Sequence, residues 1–162
     1  MVMAYVGLGS NLLDPRAQVE RALVALEHLP KTTLCARSQL YRTPPWGGVV
    51  QPDFTNAAAA LDTGLGAAEL MDALLAIERD FGRRRDGARF GPRVIDIDLL
   101  LYGDLVSNEP QLHVPHPRLH ERAFVLVPLA EIAASVNVPG QGRIDALLAK
   151  LDPVDRQLKI AN

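Results

Sequence analysis

Arg93-Val94-Ile95-Asp96-Ile97-Asp98-Leu99-Leu100-Leu101-Tyr102 decides the reading of this chain. Its apolar content and length predict a core strand from 93 to 102. A period of two residues puts Asp96 and Asp98 on one face, about 6.6 Å apart at Cα, with Val94 and Leu100 expected beside them. Working outward, Ala67 to Phe81 predicts the best helix in the chain, with Leu70, Met71, Leu74, Ile77 and Phe81 on one arc and Gly82 as its end. Phe54 to Asp62 reads as a strand despite Ala57 to Ala60, which are poor β-formers. Before it lie the β-rich stretch Thr32 to Arg42 and the stiff loop Thr43-Pro44-Pro45-Trp46-Gly47-Gly48. Asp14-Pro15 caps a helix reaching Pro30, and Met3 to Gly7 is a buried strand. The order is βαββαβ, an α+β fold with a ferredoxin-like core: an antiparallel sheet flanked by helices. A hairpin-like stretch after Gly103, a helix from Arg122 to Ala134 and a minor helix from Ile144 to Leu151 are expected as C-terminal additions.

With 162 residues and no repeat or linker, the whole chain, 1–162, is expected to be one domain. The 48% hydrophobic and 22% charged fractions are those of a globular protein. Seventeen Lys and Arg against 19 Asp and Glu, net charge −2, give no bulk attraction to nucleic acid or an anionic membrane. The single cysteine, Cys35, forms no intrachain disulfide and no cysteine zinc cluster. The apolar start lacks a basic n-region and no stretch reaches transmembrane length, so a cytoplasmic protein is expected.

Two carboxylates on one half-apolar strand face repel each other and need protons, basic partners or a metal. Mg²⁺ suits them, because it takes hard oxygen ligands from one or two carboxylates together with substrate phosphates. The alternative is a solvent-facing strand edge with two ordinary aspartates. The preceding run, Arg83, Arg84, Arg85, Arg89 and Arg93, supplies guanidinium forks matched to phosphate oxygens, or else forms a solvated charge run. Gly87, Gly91 and Pro92 suit a loop that closes over a ligand. Glu78 falls on the apolar arc of its helix, where its carboxylate needs an arginine such as Arg83 or a place bordering the ligand site. Phe54 and Asn56 share a strand face, an aromatic plate beside an amide, suited to a flat heterocycle or to ordinary core.

Gly7-Leu8-Gly9-Ser10-Asn11-Leu12 lacks the third glycine of a dinucleotide fingerprint, and no P-loop motif occurs. His113, His116 and His120 lack metal-ligand spacing. An RNA-recognition module shares the βαββαβ order but needs exposed aromatics on two central strands, where the first strand here offers Tyr5 alone. A nucleotidyl transferase also uses paired aspartates with two metals, and its nucleotide product distinguishes it.

The run Phe90-Gly91-Pro92-Arg93-Val94-Ile95-Asp96-Ile97-Asp98-Leu99-Leu100 resembles the signature of the hydroxymethyldihydropterin pyrophosphokinase family. Further blocks agree in order: Gly9 to Leu12, Tyr41 to Pro45, Gln51 to Asn56, Pro115 to Arg118 and Arg122 to Phe124. The resemblance runs to about Ala134. It implies transfer of pyrophosphate from ATP to the hydroxymethyl group of a reduced pterin in folate biosynthesis, with AMP released. It further implies two Mg²⁺ ions on Asp96 and Asp98, with Arg83 and Arg93 gripping phosphates as catalytic groups. Phe54 and Phe124 would sandwich the pterin, with Thr43, Pro44, Trp46, Asn56 and Phe90 around it. Ile97, Leu99, Leu112, His113 and His116 would line the adenosine pocket. The partners implied are small molecules, with no nucleic acid or membrane, and the chain is expected to act as a monomer. Asp86 and the stretch after Ala134 receive no role.

Overall fold

The computed structural model describes residues 1–44, 52–83 and 94–161, and of Arg83 the backbone alone. Strand β1 (Val2–Ser10) leads into helix α1 (Pro15–Glu27), whose first turn is closed by the Asp14 carboxylate accepting the Ala17 N–H at 3.4 Å. Proline at the first helical position removes a donor that would have no partner there. Strands β2 (Thr32–Arg37) and β3 (Tyr41–Thr43) precede the long β4 (Phe54–Thr63), helix α2 (Ala67–Arg83) and β5 (Asp96–Tyr102). A hairpin of β6 (Ser107–Glu109) and β7 (Leu112–Val114) follows, then a single 3₁₀ turn (Leu119–Glu121) and helix α3 (Ala123–Ala133). The chain finishes with β8 (Asn137–Val138), β9 (Gly142–Arg143), α4 (Ile144–Ala149) and β10 (Lys159–Ile160).

The main sheet runs β10-β3-β4-β1-β5, with β2 on the same edge of β4 as β3, and its pairs are antiparallel. That contains the expected βαββαβ arrangement, but the β-rich stretch from 32 to 42 is two strands, and the second takes in Thr43, expected as the start of the stiff loop. Arg37 lies opposite Ala59 and Tyr41 opposite Asn56, so residues 38–40 face only 57 and 58, a bulge that breaks the strand. Ser38 still exchanges backbone and hydroxyl hydrogen bonds with Ala58 at 2.9 Å.

Both faces of the sheet are covered. Val6, Leu8, Ala57, Ala59, Leu61, Ile97 and Leu99 pack against Leu23 and Leu26 of α1 and Leu70 and Leu74 of α2. On the other face Ala58, Leu100 and Leu101 meet Leu126 and Leu129 of α3 and Ile144 of α4. This explains the alanines of β4: a strand buried on both faces gains from small side chains that let helices approach, whatever their intrinsic β-propensity.

Several boundaries move. Helix α2 continues past Gly82 to Arg83. The core strand starts at Asp96, opposite Gly9, because pairing with β1 begins there, and the Ser10 hydroxyl donates to the Val94 carbonyl just before it. Val94 therefore joins the cluster under α1 and α2 and does not flank the aspartates. Helix α3 starts at Ala123 and α4 stops at Ala149. The sequence reading missed β10, which adds two residues to β3. No helix among the described residues is long and apolar enough to cross a membrane.

Candidate active site

On the face that carries α3, the register sets Asp96 opposite Gly9, Gly9 opposite Asn56, and Asn56 opposite Tyr41, one row across β5, β1, β4 and β3. The next row holds Asp98, Gly7 and Ala58. Strand spacing puts the Asp96 and Asn56 backbones about 9.6 Å apart, with glycine between them. A trough results, because β1 contributes no side chain to the face there. Gly9 is also required sterically: a Cβ on it would stand 2.7 Å from Asn56 Nδ2. Asp96 and Asp98 are both half-buried and both line a cavity of about 470 Å³ over this trough.

The far end of the trough is built by β3, β4 and the start of α3. Asn56 is buried, and Thr43 Oγ1 donates to its Oδ1 at 2.6 Å while its Nδ2 reaches the Leu8 carbonyl at 3.5 Å. The amide is thus oriented before any ligand arrives. Phe54, two residues earlier on the same strand face, and Phe124, in the first turn of α3, are half-buried and line the cavity, as do Thr43 and Pro44. Arg122 stacks its guanidinium 5.6 Å from the centre of the Phe124 ring.

Charge is divided across the cavity, with Asp96 and Asp98 on the sheet and Arg118, Glu121 and Arg122 lining it from the segment before α3. Arg118 pairs with Glu121 at 3.5 Å. These three were not singled out from the sequence, although Arg118 and Arg122 stand in the family-like blocks around His116 and Phe124. Burial pushes the His116 imidazole below its usual range, against the upward pull of the Asp98 carboxylate, so the two lie within electrostatic reach. The backbone N–H of His116 donates to the Leu100 carbonyl at 2.9 Å, which docks this segment on β5.

Glu78 of α2 accepts the backbone N–H of Ile97, the residue between the aspartates, at 2.8 Å. A carboxylate on the apolar arc has thus found a donor at the outer edge of β5. The proposed adenosine contacts divide. Ile97 and Leu99 are 4% and 2% exposed and pack under α1 and α2, on the face opposite Asp96 and Asp98, so their side chains do not line the cavity. The two-residue period that unites the aspartates turns these neighbours away. Leu112 packs half-buried against the same cluster, and His113 is exposed on β7. Of the closing loop expected at 83–92, Arg83 is the last residue of α2, and residues 84–92, the Arg83 side chain, Trp46, Phe90 and Arg93 lie outside the described residues.

The donor set fits Mg²⁺ in one way. Among the described residues no three His, Cys, Asp or Glu side chains are grouped as a metal cage. Two adjacent carboxylates with open space over glycine suit an ion that keeps its remaining positions for water and substrate phosphates.

The family profile described as 7,8-dihydro-6-hydroxymethylpterin-pyrophosphokinase matches residues 5–134. The chain is 50% identical over 145 residues to a 2-amino-4-hydroxy-6-hydroxymethyldihydropteridine pyrophosphokinase of Pseudomonas aeruginosa, covering 90% of this chain and 89% of that one. It is 48% identical over 153 residues to the protein of that name from Methylorubrum extorquens, covering 94% and 96%. Among solved structures, wild-type Plasmodium falciparum HPPK-DHPS superposes with a TM-score of 0.68 at 14% identity over 93% of this chain. That likeness concerns the fold, and this chain spans 43% of that longer one.

Proposed function

The chain belongs to the 7,8-dihydro-6-hydroxymethylpterin-pyrophosphokinase family, and from that premise we propose how its residues divide the work. It is an ATP-dependent pyrophosphokinase of folate biosynthesis that transfers pyrophosphate from ATP to the hydroxymethyl group of 6-hydroxymethyl-7,8-dihydropterin. The hydroxymethyl oxygen attacks the β-phosphorus, the bond from that phosphorus to the oxygen of the α-phosphate breaks, and AMP leaves.

The observation that carries the assignment of roles is the single trough with two carboxylates at one end and two aromatic rings with an oriented amide at the other. Phe54 and Phe124 take the faces of the pterin ring, and Asn56 and Thr43 read its edge, with Pro44 closing that end. The Thr43 hydrogen bond leaves the Asn56 amide both acceptor and donor capacity, as a heterocycle edge requires. Asp96 and Asp98 would hold two Mg²⁺ ions, which when bound supply charge neutralisation along the triphosphate and help orient it. Orientation of this kind accounts for much of the rate in such a displacement, because the reacting oxygen and phosphorus are held within contact. His116, beside Asp98, borders the nucleotide, and with Ile97 and Leu99 turned into the core, the adenosine would meet the backbone there. Trp46 and Phe90 complete the pterin side and Arg83 and Arg93 the phosphate side by family likeness. The chain, 1–162, acts as one domain and as a monomer in the cytoplasm, where ATP is supplied, without nucleic-acid or membrane partners; its net charge of −2 supports the last point.

Incubation with ATP, Mg²⁺ and the reduced pterin alcohol tests the reaction. AMP and the pterin diphosphate are expected in equal amounts, and ADP as the main pterin-dependent product would overturn attack at the β-phosphorus.

A further inference from the structure

The bulge between β2 and β3 leaves the Gln39 N–H off the sheet ladder, and α3 supplies its partner. Glu131 accepts that N–H with both carboxylate oxygens, at 3.2 and 3.0 Å, and accepts the Tyr41 hydroxyl on the first of them. Tyr41 lies opposite Asn56, and Thr43, two residues on, lies opposite Phe54. Glu131 stands seven residues after Phe124 on α3, two turns and about 10.5 Å along the axis, so both project from nearly the same side of the helix. One carboxylate thereby joins the helix carrying one ring of the trough to the strand carrying Thr43.

Strand β3 needs such a tether. It is three residues long, and among the described residues its outer edge is paired only by the two residues of β10. Its ladder alone leaves little resistance to sliding or tilting relative to α3. A hydrogen bond to a charged acceptor contributes more than a neutral one, and here two donors from β2–β3 converge on one acceptor.

We propose that Glu131, through Gln39 and Tyr41, is a positioning residue for pterin recognition that holds α3 on β3 and so sets the gap between Phe124 and the Phe54–Asn56–Thr43 wall. This rests on the reading that the pterin lies between Phe54 and Phe124. Nothing in it touches the aspartates, so its effect is confined to one substrate.

The test is steady-state kinetics of the full chain with both substrates varied, on Glu131→Ala, Glu131→Gln and Tyr41→Phe, with Phe124→Ala as control. Glu131→Ala is expected to raise KM for the pterin roughly tenfold, the equivalent of one charged hydrogen bond, with kcat and the ATP KM within about twofold of wild type. Glu131→Gln keeps one acceptor oxygen and should recover much of the loss. Should Glu131→Ala fail to fold, Tyr41→Phe, which retains the Gln39 contact, carries the test with an expected rise of about threefold. A folded variant lacking the tether with wild-type pterin KM, or one in which both KM values rise together, overturns the proposal. If Phe124→Ala leaves pterin KM unchanged, the ring sandwich itself is wrong. If Phe124→Ala raises it and the tether variants do not, only the positioning role fails.

Discussion

Among the described aspartates, Asp96 and Asp98 are the two that face a trough floored by glycine, and their substitution should separate chemistry from folding. Asp96→Asn or Asp98→Asn keeps the shape of the side chain but removes the charge that would ligate Mg²⁺. Losing one such electrostatic contact costs on the order of 100- to 1000-fold in turnover. Pterin-dependent AMP formation at saturating Mg²⁺ measures it, and melting of the free protein should be retained. A variant keeping more than about a tenth of wild-type turnover would not be a metal ligand. At Gly9 the expected effect falls on the other substrate. A methyl group 2.7 Å from Asn56 Nδ2 must displace the amide that Thr43 orients. Gly9→Ala should therefore raise the pterin KM while leaving nucleotide binding close to wild type, which equilibrium titration with a non-hydrolysable ATP analogue checks. The aspartate pair was legible in the sequence because strand periodicity alone unites two positions. Arg118, Glu121 and Arg122 were not, because they reach the cavity from an irregular segment with no period to read.

Helix α2 and the α3–β3 contact show how elements hold the site. Leu74 of α2 is fully buried against the sheet face opposite the cavity. Leu74→Ala should cost about 2–5 kcal/mol in urea denaturation, with loss of activity only as far as the fold is lost. At the α3–β3 contact, burial above all, and then the Glu131 hydrogen bond and charge, push the Tyr41 phenol up to about 12 from 10.0. The folded state thus holds this proton more tightly than the unfolded state. The stability linked to it is complete below pH 10 and is lost as pH rises through about 12. Thermal melts between pH 9 and 11.5 should show the wild type losing stability relative to Tyr41→Phe, and parallel curves would remove Tyr41 from the account. Helix boundaries were readable to within a few residues because amphipathic arcs end where burial ends. The break at 38–40 was not, since only the register against β4 reveals an extra residue.

For the whole molecule, ligand binding and folding are one linked equilibrium. A nucleotide and metal that bind only the folded chain stabilise it by about 2.7 kcal/mol at a hundredfold excess over Kd. A non-hydrolysable ATP analogue with Mg²⁺ should raise the melting temperature of wild type. The shift should be much reduced without Mg²⁺ and in Asp98→Asn. An equal shift in all three would place the nucleotide away from the carboxylates.

The sequence by itself determined the βαββαβ order, the shared face of Asp96 and Asp98, the shared face of Phe54 and Asn56, and the family, because each depends on local period or on ordered blocks along the chain. Only the tertiary structure decided which face meets which helix. It drew Val94 into the core and laid α1 and α2 over the face to which the strand period turns Ile97 and Leu99, set glycines between the carboxylates and Asn56, and brought Arg118, Arg122 and Glu131 to the trough and its frame. Those outcomes depend on strand register and on helices that pack across tens of residues of sequence. Local chemistry constrains such contacts only after the sheet has chosen its partners.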